Sequence, residues 1–153
     1  MRTPIQIKAS TKTKATNQQR HKRQPKINSR NKGASGEREV CQIMSKITGM
    51  VVKRSLESVR AGGSDITCVP GLSIEVKRKK MILPNDMSQF WLQCLRQSEK
   101  ENAKPVLFAK DDRRDWSVTV ALGDMCPVKD MKSLPVQMDV QAFKTLYKRW
   151  HDE

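Results

Sequence analysis

Gly62-Gly63-Ser64-Asp65-Ile66-Thr67-Cys68-Val69-Pro70-Gly71-Leu72-Ser73-Ile74-Glu75-Val76-Lys77 is the stretch on which the fold turns. Ile66, Cys68, Leu72, Ile74 and Val76 are apolar, and Asp65, Thr67, Ser73, Glu75 and Lys77 alternate with them. A period of two predicts strands over 65–69 and 72–77, joined at Pro70-Gly71. Glu75 and Lys77 then share one face of their strand. If both apolar sets enter one core, Asp65 must share that opposite face with them. A strict two-residue Pro70-Gly71 loop would pair Val69 with Leu72 and send Asp65 to the wrong side, because one residue of slip inverts every side chain. The expectation is therefore a three-residue loop or a bulge at the turn.

Two carboxylates meeting beside an ammonium suit phosphodiester hydrolysis. Hard oxygen ligands favour Mg²⁺ or Mn²⁺, which keep several waters and can hold a scissile phosphate. Such an ion polarises the phosphoryl oxygen and lowers the pKa of a bound water. Lys77 can orient or help deprotonate that water and offset charge developing on the phosphate. The plain alternative is a surface hairpin whose exposed face happens to carry Glu and Lys.

Outward from the hairpin, Val40, Ile43, Met44 and Ile47 recur at helical spacing, with Ser35 as N-cap and Gly49 as the stop. Residues 50–54 read as a short strand and 57–64 as a loop. A basic loop over 78–80 leads to a second helix over 87–102, which Pro105 ends. Strands follow at 106–110 and 116–122 around a charged turn at 111–115. A proline-bearing stretch, 127–135, precedes a last helix from about Val140, capped by Asp139, with Val140, Phe143, Tyr147 and Trp150 on one face. This order implies a mixed α/β domain, a central sheet flanked by helices. Projected around the first helix, Glu37 lies beside Val40 and Met44 on the apolar face, while Glu39 points away. An acid there implies a partner or a metal, or else a favourable interaction with the positive helix terminus.

The 153 residues carry 30 Lys and Arg against 16 Asp and Glu, a formal charge of +14. Ten of the basic residues (Arg2, Lys8, Lys12, Lys14, Arg20, Lys22, Arg23, Lys26, Arg30, Lys32) precede Gly33, where no acid occurs. Residues 1–32 are too poor in apolar side chains to offset the entropy of ordering them, and read as a disordered basic arm. Residues 33–153 form the expected domain. A basic arm beside a mildly basic domain points to nucleic acid through counterion release. A membrane anchor lacks apolar residues to insert, and no apolar run approaches the length of a span. A transit peptide is disfavoured by the many Gln and Asn residues and the missing apolar helical stripe. Cys41, Cys68, Cys94 and Cys126 are spaced as buried free thiols of a reducing compartment, so the expected location is cytoplasmic, the host's cytoplasm if the source is a virus. His21 and His151 are the only histidines, which argues against a histidine metal site.

Lys32-Gly33-Ala34-Ser35-Gly36-Glu37-Arg38-Glu39-Val40 resembles the opening helix of Holliday-junction resolvases of the archaeal and phage type, within the PD-(D/E)xK superfamily. Gly62-Gly63-Ser64-Asp65-Ile66 and Ile74-Glu75-Val76-Lys77 resemble their Gly…Pro-Asp-Ile…Glu-x-Lys core, with Ser64 in place of the usual proline. The resemblance runs from about Lys32 to Leu122. It implies a restriction-endonuclease-like αβββαβ core, a dimer, and Mg²⁺-dependent cutting of four-way junctions, with Mn²⁺ able to substitute. By position, Asp65 and Glu75 would be metal ligands, Lys77 the catalytic lysine, and Glu37 an additional acid at the metal or its water. Ser55 and Ser58 stand in the loop where resolvases often carry a serine. Gln97-Ser98-Glu99 before Lys104-Pro105-Val106-Leu107 resembles a segment of related small phage nucleases whose glutamine reaches the active site. Gln97 borders the apolar stripe of its helix, and Gln93, one turn earlier, is the alternative. The expected DNA contacts are Lys32, Arg38, Arg54, Arg60, Arg78, Lys79 and Lys80.

Three functions compete at this level. One is a resolvase acting as a homodimer on branched DNA, because paired symmetric cuts need a two-fold axis. Candidate dimer surfaces are the helices and apolar residues near Trp116 or Trp150. The second is a general nicking or end-processing nuclease on the same core. The third is a non-catalytic nucleic-acid-binding protein whose main feature is the arm.

Overall fold

A computed structural model describes residues 29–55, 63–128 and 130–152. The arm over residues 1–28 and the loop residues Ser58, Arg60 and Gly62 lie outside them. The elements are α1 (Ser29–Thr48), β1 (Lys53–Arg54), β2 (Ile66–Thr67), β3 (Leu72–Lys79), α2 (Pro84–Glu101), β4 (Lys104–Asp111), β5 (Ser117–Ala121), β6 (Pro135–Asp139) and α3 (Val140–Asp152). The sheet runs in chain order from β1 to β6. Every pair is antiparallel except β3–β4, which is parallel and needs α2 as its crossover. From α1 to β4 the order is the expected αβββαβ.

The strands' alternation divides the core between two faces. Leu72, Ile74 and Val76 of β3, with Val106 and Phe108 of β4 and Val118 and Val120 of β5, pack against α1 and α3. There Phe143 of α3 meets Phe108 edge-on at 5.7 Å between ring centroids. Leu107 and Ala121 face the other way and pack against Trp91 and Cys94 of α2. Ser73, Glu75 and Lys77 alternate with the first set, so they lie on the α2 face. That face is covered: Glu75 is 2% exposed and Ser73 is fully buried. The surface-hairpin alternative fails on this point.

Several boundaries differ from those expected. Helix α1 begins by Ser29, so Ser35 lies inside it rather than capping it, and the Ser35 hydroxyl accepts from Arg78 Nη1 at 3.3 Å. Residues 29–32, read as part of the arm, are helical. Gly49 ends the helix as expected, at φ +72° with its N–H on Ser45 O. Helix α2 starts three residues early, at Pro84. The Asp86 carboxylate accepts from the Leu83 N–H at 3.0 Å, and Asn102 closes the helix in the left-handed region. Pro105 is thus not the terminator. It is the second residue of β4, near the strand start where a missing N–H is tolerated. Strand β3 continues to Lys79 and absorbs most of the expected basic loop.

Strand β6 was not expected. Its opening Pro135 masks it in the sequence, yet a proline at the first residue of an edge strand breaks no rule of pairing. Asp139 does cap α3, accepting from the Ala142 N–H at 2.7 Å. Trp116 and Trp150 do not form an exposed apolar surface. Trp116 is buried against Phe108, and Trp150 packs on Phe143 with Nε1 donating to Asp124 O at 2.7 Å. The large exposed apolar side chains among the described residues include Leu92, Met131 and Leu134. All four cysteines are free, but only Cys41 and Cys94 are buried. No helix among the described residues is long and apolar enough to cross a membrane.

Candidate active site

The site begins with one register. Ile66 pairs with Ile74. At the turn the Leu72 N–H donates to Val69 O at 3.3 Å, which closes a two-residue Pro70-Gly71 turn and leaves one extra residue, Cys68, between it and the Ile66–Ile74 pair. That extra residue is a bulge, one of the two solutions the alternation allows, and it keeps Asp65 on the face of Glu75. Bulge and turn need left-handed backbone at Cys68 (φ 71°) and Gly71 (φ 74°). The twist at Cys68 takes its side chain out of the alternation, so this apolar-pattern cysteine is exposed rather than in the core.

With that register Asp65 lies opposite Glu75. The Asp65 backbone is fixed on both sides, its N–H on Ile74 O at 3.0 Å and its carbonyl accepting from Ser55 N–H at 2.9 Å. Its carboxylate Oδ2 accepts from the Val76 N–H at 2.8 Å. Burial, then the Glu75 carboxylate, push the Asp65 carboxyl up to about 7. The Val76 N–H and Lys77 act against them, and Glu37 adds to the rise.

Glu75 is gripped from three sides. Its Oε1 lies 2.5 Å from Lys77 Nζ and accepts from Gln93 Nε2 at 2.9 Å. With the Gln97 amide turned so that both ends meet complementary partners, its nitrogen donates to Glu75 Oε2 at 2.9 Å and its oxygen accepts from the Ser64 N–H at 2.9 Å. The Ser64 N–H also meets Glu101 Oε1 at 2.7 Å, so α2 holds the segment leading into Asp65. Both glutamines reach Glu75, although Gln93 entered only as an alternative to Gln97. Their spacing of four on one helix is the signal that both share a side. Lys77 Nζ also stands 5.5 Å from the Phe90 ring centroid. Burial, with Glu75 beside it, pushes the Cys94 thiol up to about 12, which leaves it no role as a thiolate here.

Glu37 lies in the third turn of α1, so the helix terminus does not explain it. Its partner is Arg54 of β1, whose Nε stands at 2.5 Å. Its carboxylate is near enough to Asp65 to raise that group's pKa, but the contact it makes is with Arg54. Glu39, expected to point away, is instead a hub. It accepts from Trp116 Nε1 at 3.1 Å and Lys110 Nζ at 3.4 Å and pairs with Arg78. Burial works to raise its pKa, but the Trp116 N–H, Arg78 and Lys110 outweigh it and hold the carboxyl low. The period of the helix could not reveal this, because the partners come from the far ends of β3, β4 and β5.

The expected DNA contacts are scattered by the fold. Arg78 is taken by Glu39 on the α1 face, away from Glu75. Lys32 pairs with Asp112 and Lys79 with Asp86. Arg38 and Lys80 are exposed. Arg60 lies outside the described residues.

Among the described residues no three acids, histidines or cysteines gather as a closed cation cage. A magnesium ion does not need one, since it binds through one or two carboxylates with waters and phosphate oxygens. Asp65 and Glu75 offer hard oxygens. They are two like charges set side by side in a buried place, with Lys77 as partial compensation. That donor set fits a divalent cation, and Glu37, which meets Arg54 through Oε2, is a further oxygen donor beside it.

A family model described as "Phage putative PDDEXK endonuclease" matches residues 28–152. Protein D14 of Escherichia phage T5 is 30% identical over 118 residues, covering 64% of this chain and 74% of that protein. The 1.6 Å structure of Hjc, a Holliday junction resolvase of Archaeoglobus fulgidus, aligns with 77% of this chain and 88% of its own. Its TM-score of 0.43 and 20% identity are too low to bear on fold or substrate. Matched over residues 28–152, the chain belongs to the phage PD-(D/E)xK endonuclease family and is a DNA nuclease.

Proposed function

We propose that this chain is a Mg²⁺-dependent DNA endonuclease, with Mn²⁺ able to substitute, acting as a homodimer on branched DNA in a reducing cytoplasm. Nucleases of this family generally use divalent metals. The observation that carries the reading is Glu75, 2% exposed, facing Asp65 across the strand pair with Lys77 against it. Asp65 and Glu75 are the ligands. When bound, the cation neutralises phosphate charge and acidifies a water.

The chain's own residues do the rest. The Val76 N–H fixes Asp65, and Gln97 ties Glu75 to Ser64, so both carboxylates are oriented before substrate arrives. Lys77 is held between Glu75 and the Phe90 ring, within one strand of both acids. From there its ammonium orients the attacking water and offsets charge on the phosphate. Glu37 is a further acid at the site's margin, restrained by Arg54. Lys80, Arg38 and Arg60, with the basic arm, supply phosphate contacts, and Lys32, Arg54, Arg78 and Lys79 do so as phosphate competes with their partners Asp112, Glu37, Glu39 and Asp86.

Support for branched DNA comes from the motif resemblance in α1 and the hairpin, and a homodimer follows from the need for paired cuts. The test is incubation with labelled four-way junctions and matched duplex in Mg²⁺. Paired cuts confined to the junction support this reading. Equal degradation of both substrates replaces it with a general nicking or end-processing nuclease.

A further inference from the structure

Helix α2 offers one amide per turn to β3, and the two do not repeat a single contact. Gln93 Nε2 donates to Glu75 Oε1, and the Gln97 amide meets Oε2, each at 2.9 Å. Lys77 Nζ shares Oε1 with Gln93. A carboxylate oxygen has two lone pairs. Lys77 and Gln93 therefore fill Oε1, while Oε2 keeps one lone pair after Gln97 has taken the other.

Gln97 is buried, so packing alone could account for it. Gln93 is exposed, and nothing in the core needs its side chain. An exposed side chain that nevertheless reaches a 2%-exposed carboxylate calls for a reason at that carboxylate.

Resting on the nuclease reading above, we propose that Gln93 is a positioning residue that keeps Glu75 in place when Lys77 moves to the substrate. Lys77 cannot both neutralise Glu75 and serve the attacking water. If it were the only donor on Oε1, its departure would strip a buried oxygen of its partner, and the carboxylate would either hold Lys77 back or turn after it. With Gln93 in place Oε1 keeps a donor throughout. The carboxylate does not rotate, the free lone pair of Oε2 keeps its direction, and Lys77 is released at lower cost.

The test compares Gln93→Ala and Gln93→Met, which matches glutamine in length but has no donor, with Leu92→Ala as a control on an exposed neighbour. Mn²⁺ binding to the full-length protein without DNA is measured calorimetrically. Single-turnover cleavage at saturating Mn²⁺, DNA affinity and thermal midpoint are measured alongside. Both Gln93 variants should bind Mn²⁺ about 3–10-fold more weakly and cut about 10–100-fold more slowly, with DNA affinity and melting near wild type. Leu92→Ala should match wild type in Mn²⁺ affinity. Gln93 variants within two-fold of wild type in both metal binding and rate overturn the assignment, as does a slow rate that appears only with a lowered melting point. Wild-type protein that neither binds Mn²⁺ nor cuts DNA defeats the nuclease reading itself, and this inference with it.

Discussion

Asp65 lies across the strand pair from Glu75 because Ile66 pairs with Ile74, and this one register sets both acids on the face covered by α2. The turn that enforces it is strained at a non-glycine residue, Cys68, at φ 71°. Cys68 is exposed, so replacing it loses no packing. Cys68→Gly should raise stability by about 1 kcal/mol, whereas Gly71→Ala should lower it by about the same amount. Denaturant midpoints of the two variants against wild type check both signs.

The Asp65 carboxyl is raised from 3.8 to about 7 by burial and by Glu75. A raised folded-state pKa means that the native state binds the proton more tightly than the unfolded chain does. The stability this contributes is whole below about pH 4 and is lost as pH rises through 7. Metal-free protein should therefore be more stable at pH 5 than at pH 8, by on the order of 2–3 kcal/mol from this group. Asp65→Asn should flatten the dependence and out-melt wild type at pH 8 in EDTA. Parallel wild-type and variant curves across that range would contradict the burial of a charged Asp65.

Glu39 joins α1 to three strands through Trp116, Arg78 and Lys110. It is partly exposed, so solvent screens the ion pairs and the Trp116 hydrogen bond counts for most. Glu39→Ala should cost about 1–3 kcal/mol and leave cleavage intact at low temperature. Its carboxyl is held low, so its contribution is present above the ordinary carboxylate range and lost as pH falls through it. Wild-type and Glu39→Ala melting points should converge in acid.

Removing residues 1–28 should weaken DNA binding and flatten its salt dependence, because each lost phosphate contact removes about 0.9 from the slope of log K against log salt. The single-turnover rate at saturating protein should stay within a few-fold. An unchanged slope would mean that the arm does not touch DNA.

The hairpin and the helix faces were legible in the sequence because they depend on period and parity alone. Alternation around Ile74 and the need for a common core were enough to require a three-residue loop or a bulge, and the bulge at Cys68 is what forms. Apolar spacing located α1, α2 and α3. Partnerships across the sheet were not legible. Glu39 looks like a solvent residue from its own helix, and only the ends of β3, β4 and β5 show otherwise. Arg78 reads as one of three basic residues awaiting DNA, yet alternation along β3 turns it to α1 and into Glu39. Gln93 and Gln97 looked like alternatives because periodicity gives a direction and not a length, and a glutamine at the flank of a helix can still reach inward. Strand β6 was hidden by the composition of its own first residue.

The central claim is that Asp65, Glu75 and Lys77 together cut DNA. Its most direct test is a Mg²⁺ titration of junction cleavage by wild type and Glu75→Gln, with DNA affinity measured alongside. Cleavage by wild type should rise with Mg²⁺ and vanish in EDTA. The variant should lose at least about a thousand-fold in rate while binding DNA as well or more tightly, since a carboxylate that repels phosphate is gone. A Glu75→Gln protein that cuts at the wild-type rate would contradict the account.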